Sequence, residues 1–523
     1  MIERRTAARG VRRLYPLDRR RDRRPLLALV VLTLACLAVR LLSLVVVWEP
    51  GYTDAYYYAG VAARVAHGQG LTADFVWNFV EAPHFEALPV ASHRFWMPLA
   101  TLVQAVGVKL LGGVLPDFRA GQLAIVAVAA FIPPVTYLAA RSLGAERFTA
   151  LAAAAVSGLG GALAPGWVSA DAFAPAAVVG TLFFVAFARS LSGSARWGAA
   201  AGLLVGLLYL ARAEGALFGL ALVWLAGRPR TRHAGLAGCG VALAIGLGWL
   251  VRNEMLGFPS DLLARSILLV RYQDFFAVKV PTLHAFIASP GAVLAAKLSA
   301  LATDLVTAAM ALLLVLAVPL AVAVRRRWRR AEVRAFAYLA LVVYLAESLV
   351  FTLHAVRGSY FHSIAALFPY AVALAAVGAQ DLAAPAGPAM LRVVAASAVV
   401  AYAAVSLVAL GQWDADFNAA YRVRAAAAAQ LPPGGVVAID AAAWAWITGR
   451  EAVVAPADGE YEASCAADVY LAPTLVLEPA HFTAYDHLYG SDSSDYFTRV
   501  GGDGGIHFYA VREDKRCIMA VRR

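Results

Sequence analysis

Eleven apolar segments, several of them bounded by clusters of arginine, decide what this chain can fold into. The first, LLALVVLTLACLAVRLLSLVVVW (Leu26 to Trp48), is long enough to cross a bilayer and follows ten arginines that precede Pro25. No small-residue cleavage signature comes after it, so it reads as an uncleaved first span with a cytoplasmic start. The others lie at roughly 119–141, 147–164, 171–190, 197–211, 214–227, 233–251, 299–324, 333–352, 363–380 and 389–411. Backbone in lipid must satisfy its own hydrogen bonds, so segments this apolar are helices. At 61% hydrophobic residues, the chain exceeds what a soluble core requires. The expected fold is a polytopic α-helical membrane protein of about 11 transmembrane helices.

Orientation turns on FWMPLATLVQAVGVKLLG (95–112), which is apolar but contains Pro98, Gln104 and Lys109. Laid along the outer interface, it leaves Arg141/Arg147, Arg189/Arg196, Arg228/Arg230/Arg232 and the run from Arg325 to Arg334 all facing the cytoplasm. As a span, it would put all of them outside. The interfacial reading follows, with outer loops 49–118, 252–298 and 353–362. Residues 1–25 are then a basic cytoplasmic segment, 26–411 the membrane domain and 412–523 an extracytoplasmic C-terminal domain. The formal charge of +11 reports this orientation and not a nucleic-acid partner, because the basic residues sit between spans.

The tail alternates short β-type runs (VVAID, DVYLAP, GGIHFYAVR) with turn signals such as Pro432-Pro433-Gly434-Gly435, as a small α/β or α+β domain does. GGDGG reads as a hairpin turn and not as a phosphate cradle, since no helix start follows it. Cys465 and Cys517 both fall in this domain, and the sequence leaves open whether they are joined. Nothing of CxxC type argues for a structural metal.

Uncommon polar residues collect at the outer ends of the spans. Asp54, in GYTDAYYYAG, lies six residues past Trp48; Asp171, in WVSADAFAP, stands at the outer start of a span. Arg212 and Glu214 occupy the turn of YLARAEGALF, and Arg252 ends a span in GWLVRNEMLG. His354, Arg357, Tyr360 and His362 share the turn HAVRGSYFHSIAALFP. Each has a structural alternative. Arg252 can snorkel to headgroups, Asp171 can cap its helix, and Arg212 and Glu214 can simply pair. Tyr56, Tyr57, Tyr58, Trp77 and Trp96 can stack on a sugar or form an interfacial belt, the commoner role. GxxxG at Gly202–Gly206 reads as close helix packing.

As a set, acids and arginines at the outer rim suit a lipid-linked phosphate donor. Guanidinium forks match phosphate oxygens, and a carboxylate can take the proton of an acceptor hydroxyl attacking the sugar C1. The departing phosphate is a weak base that needs charge stabilisation and no general acid, so single displacement with inversion is expected.

On these residues the chain resembles the GT-C glycosyltransferases, which include the protein O-mannosyltransferases, the aminoarabinose transferase of lipid A and oligosaccharyltransferase catalytic subunits. Asp54 after span one, the interfacial FWMPL segment, LARAEG, GWLVRN and RGSYFH before ALFP carry the resemblance, in that order along 26–411. It implies an inverting glycosyltransferase that moves a hexose or pentose from a polyprenyl-phosphate donor to a glycan, lipid or protein acceptor. Asp54 would match the first-loop catalytic acid and general base, and Asp171 an acid near acceptor or metal. Arg357 would serve the carrier phosphate, with Arg212 and Arg252 as further candidates. Glu214, His354, His362 and Tyr57 complete the set. No cofactor is required; a divalent cation between Asp54 and Asp171 is chemically compatible. Ala55 stands where the mannosyltransferases have a second acid, and no WWD-type motif occurs in the tail. The competing classes are a surface-polysaccharide polymerase or ligase, a sensor, and a transporter or flippase. The transporter would need ionisable residues near span midplanes, where Arg40 is the main charge.

Overall fold

The computed structural model describes residues 24–82, 85–257, 272–279, 287–350, 356, 358–515 and 517. It is a polytopic helical membrane protein carrying a sheet at one end. Among the described residues, six helical stretches are long and apolar enough to cross a membrane by length and composition, and shorter apolar helices pack between them.

Helix α1 (Arg24–Ser43) is followed by α2 (Thr53–Ala66) and α3 (Leu99–Leu111). The last is the FWMPL segment. Its thirteen residues rise only about 20 Å, short of a hydrocarbon core, and one stripe, Leu102, Val106 and Leu110, stays exposed. The expected span at 119–141 is two helices, α4 (Asp117–Ala129) and α5 (Ile132–Leu143), because Pro133 and Pro134 have no N–H to donate to the preceding turn. Then come α6 (Arg147–Leu159), α7 (Phe173–Ser190) and α8 (Ala195–Ala211), a 3₁₀ stretch (Ala213–Phe218), α9 (Gly219–Ala226) and α10 (Arg232–Met255). Helices α8 and α10 meet backbone to backbone, since a Cβ on Gly202 would stand 2.1 Å from the Gly238 carbonyl oxygen. Small residues there serve packing, as the GxxxG pattern indicates.

Helix α11 (Pro290–Arg326) is interrupted at Leu313, whose φ of 51° breaks the helical path. It packs with α12 (Ala331–Leu349), the short α13 (Ser359–Ile364) and α14 (Phe368–Ala383). Helix α15 (Gly387–Trp413) continues through a π turn (Asp414–Asn418) into α16 (Ala419–Ala428). The chain after residue 411 therefore continues as helix before it reaches the sheet.

Beyond α16 lie β4 (Val436–Ala438), α17 (Ala441–Thr448), β5 (Ala452–Val454), α18 (Glu460–Val469), β6 (Thr474–Leu477), α19 (Asp486–Tyr489), β7 (Phe497–Asp503) and β8 (Ile506–Val511). The segment after α2 contributes β1 (Thr72–Ala73), β2 (Phe75–Val76) and β3 (Val90–Ala91). Strand β2 pairs in parallel with β5, Phe75 beside Ala452, so the six-stranded sheet runs β2-β5-β4-β6-β8-β7. The first loop and the tail thus share one sheet and one core, in which Tyr57, Phe75 and Trp77 join Val437, Trp444 and Leu475. GGDGG forms the β7–β8 turn, with Gly504 and Gly505 at positive φ. A disulfide joins Cys465 on α18 to Cys517.

Candidate active site

Three side chains from distant parts of the chain converge, two at the starts of α2 and α7 and one within the short α13. The carboxylates of Asp54 and Asp171 and the imidazole of His362 each offer a ligand atom, all within 4.8 Å of one another.

Local sequence explains each placement. Gly51 turns the chain into α2 at φ 94°, and any Cβ there would strike the Trp413 ring at 2.6 Å. Tyr52, at the N-cap position, is boxed edge-on by Trp413 and tilted against Phe417, both from the α15–π segment. Asp54 follows in the first turn of α2, where the helix dipole favours an acid. Asp171 is fully buried. Its Oδ1 accepts the Ala172 N–H, while Oδ2 accepts the Tyr52 hydroxyl at 2.5 Å and lies 3.2 Å from His362 Nδ1. Its second oxygen therefore faces the cluster, so capping does not account for the residue. The His362 ring packs tilted by 30° against Phe173, the first residue of α7, at 4.3 Å between centroids. Its Nδ1 is buried and makes no directed hydrogen bond among the described residues, so its approach to Asp171 is an ion-pair contact without hydrogen-bond alignment.

The two acids are driven apart electrostatically. Burial pushes Asp54 up from 3.8 to about 6; His362 opposes and Asp171 adds to the rise. Burial would raise Asp171 as well, but His362 and the hydrogen bonds from Tyr52 and Ala172 outweigh it and hold that carboxyl below its ordinary value. Asp171 stays ionised while Asp54 is poised to exchange a proton, the division of labour expected of paired carboxylates in a working site.

A second polar cluster adjoins the first. Arg212 pairs with Glu214 and donates from Nη2 to Ser359 Oγ at 3.2 Å. Glu347 of α12, 2% exposed, accepts from Ser359 Oγ at 2.5 Å and Ser363 Oγ at 2.6 Å. Sequence reading missed Glu347, although an acid inside the span 333–352 was the signal. Asp304 on α11, which accepts from Ser348 at 2.7 Å, was missed in the same way.

Other expected residues lie elsewhere. Arg252 donates to the carbonyls of Ser92 at 2.8 Å and His93 at 3.4 Å and lies over Trp249, so it braces the first loop. Tyr57 donates to Glu81 at 2.8 Å, away from Asp54. Glu81, also unforeseen, gathers Tyr57, Trp77 and the Arg94 N–H and closes that loop on itself. Tyr56, Tyr57, Tyr58 and Trp77 are buried in the loop core, and Trp77 stacks on Trp96 at 3.6 Å. Burial there leaves those four neither an interfacial belt nor an open platform. His354 and Arg357 lie outside the described residues.

The sequence matches no protein-family model and no curated protein. The fold does have solved counterparts. ArnT from Cupriavidus metallidurans, bound to undecaprenyl phosphate, is similar with a TM-score of 0.55 and 14% identity over 93% of this chain and 98% of that one. The archaeal oligosaccharyltransferase AglB from Archaeoglobus fulgidus, in complex with an inhibitory peptide and a dolichol-phosphate, has a TM-score of 0.54 and 13% identity over 94% and 75%. Both are GT-C membrane glycosyltransferases, and this chain shares their fold.

Proposed function

We propose that the protein is an inverting glycosyltransferase that moves a sugar from a polyprenyl-phosphate donor to an acceptor hydroxyl at the outer face of the cytoplasmic membrane. The observation that carries this reading is the convergence of Asp54, Asp171 and His362 at one end of a bundle shared with lipid-phosphate-binding transferases. Fold alone does not specify chemistry; the two acids and the imidazole gathered there are what support a transfer reaction.

In this reading Asp54 is the general base. The acceptor oxygen forms a bond to C1 as the C1–O bond to the carrier phosphate breaks, and the acceptor proton passes to Asp54 while polyprenyl phosphate leaves as the anion. A base near 6 is ionised at neutral pH yet basic enough to take a proton in the transition state. Asp171, held ionised by Tyr52 and His362, fixes the imidazole and keeps the field at Asp54 negative. Arg357, two positions before Ser359 in sequence, is assigned to the carrier phosphate; Arg212 and Arg252 brace the walls.

Two carboxylates and an imidazole also suit a divalent cation, and the undirected, buried Nδ1 of His362 is an atom such an ion would satisfy. When bound, the cation would supply positive charge to the paired acids and polarise an oxygen beside them.

The test is transfer of label from radiolabelled polyprenyl-phosphate hexoses and pentoses to a membrane extract by the purified protein. Transfer by wild type and its loss in Asp54→Asn is the expected result. Full activity in the variant would remove Asp54 as base, and no transfer from any donor would sink the transferase reading.

A further inference from the structure

Helix α13 has six residues, too few for its own hydrogen bonds to offset the entropy of ordering it, so its orientation must come from what it touches. Ser359 and Ser363 are spaced i, i+4 and share one face. On that face lies Glu347, near the C-terminal end of α12, with Oε2 2.5 Å from Ser359 Oγ and Oε1 2.6 Å from Ser363 Oγ. Two points of attachment one helical turn apart fix both the tilt and the rotation of a short helix. Arg212 Nη2 adds a contact to Ser359 Oγ, and the Glu214 carboxylate is an alternative acceptor for the single hydroxyl proton of Ser363. His362 precedes Ser363, about 100° around the helix, which aims its ring away from the clip and toward Asp171.

We propose that Glu347 is a positioning residue: its carboxylate, through Ser359 and Ser363, sets the rotation of α13 that presents His362 to Asp171 and Asp54. This rests on the reading of Asp54, Asp171 and His362 as the active site. Glu347 touches none of the three, so its effect is transmitted through the serine pair.

Diethyl pyrocarbonate, which acylates accessible neutral imidazoles, tests this on the full-length protein without any assay of transfer. His362 is 8% exposed and His93, in the first loop, is fully buried and serves as internal control. In Glu347→Ala, the rate of His362 modification read by mass spectrometry should rise about tenfold, the scale of one lost buried hydrogen bond, with His93 unchanged. Glu347→Gln should match wild type, because serine hydroxyls donate to its oxygen and accept from its amide. An unchanged His362 rate in Glu347→Ala overturns the proposal. So does a parallel rise at His93, which would mean general loosening, or a glutamine variant that behaves like alanine. If Glu347→Ala fails to fold, Ser363→Ala carries the same test, and an unchanged His362 rate in it is equally fatal. In the transfer assay, Glu347→Ala should lower kcat and leave donor affinity alone. Should wild type transfer nothing, the functional reading fails while the labelling rates still decide the role of Glu347.

Discussion

Tyr52 donates its hydroxyl to Asp171 across 2.5 Å, joining the N-cap of α2 to the start of α7, 119 positions along the chain. The bond orders Asp171 and helps hold it ionised, and Trp413 and Phe417 hold the tyrosine in turn. Tyr52→Phe keeps the ring packing and deletes only the hydroxyl. Loss of a hydrogen bond to a charged, buried group costs about 1.5–3 kcal/mol, so turnover should fall roughly tenfold or more with little change in donor affinity. Steady-state kinetics beside direct donor binding would separate the two; equal losses in both would contradict the assignment.

Asp54→Asn keeps the shape of the side chain and removes its basicity. General-base removal typically costs about 10²–10⁴ in rate, and the loss should sit in kcat. Single-turnover measurements with saturating donor would show it; an effect confined to KM would mean that Asp54 binds and does not react.

The raised value of Asp54 has two consequences with pH. Transfer should climb as pH rises through about 6 and level off above it, since the ionised form is the active one. Stability runs the other way. The folded state holds this proton more tightly than the unfolded chain, so the associated stabilisation is present at low pH and is lost as pH rises from 3.8 to about 6. Melting curves in chelator should therefore show Asp54→Asn gaining on wild type above pH 6, with the gap closing near pH 4. A gap independent of pH would refute the shift.

If the Asp54, Asp171 and His362 set takes a divalent cation, Mn²⁺ should raise the melting temperature of the wild type by mass action, and EDTA should reverse it. His362→Ala should abolish that response. A response that persists in the variant would place the ion elsewhere.

The Cys465–Cys517 disulfide closes a loop in the C-terminal domain, and Cys465→Ser should cost about 2–4 kcal/mol of that domain's stability. Proteolysis of the tail under oxidising and reducing conditions would report it, and equal cleavage rates would remove the disulfide from the domain's stability.

Much of the site was legible along the chain because charge in an apolar background is conspicuous. Asp54, Asp171, Arg212, Glu214 and His362 stand out against runs of alanine, valine and leucine, and the order of their motifs pointed to the fold. Two kinds of residue were not. Glu81 carries no pattern of its own, Glu347 shows only as an acid inside an apolar span, and the roles of both arise from partners such as Ser359 and Tyr57, 12 and 24 positions away. Tyr52 gave no sign either, since a tyrosine before a helix is ordinary until an acid arrives beside its hydroxyl.

Local composition determined the membrane helices, the GGDGG hairpin and the close packing at Gly202, because each depends on hydrophobicity, turn chemistry or side-chain size at a few adjacent positions. Tertiary structure alone decided that β2 of the first loop would join the sheet of the tail, that Arg252 would brace a loop, and that His362 would reach Asp171. These are contacts between segments far apart in sequence, chosen by which buried polar groups can satisfy one another once the helices have packed.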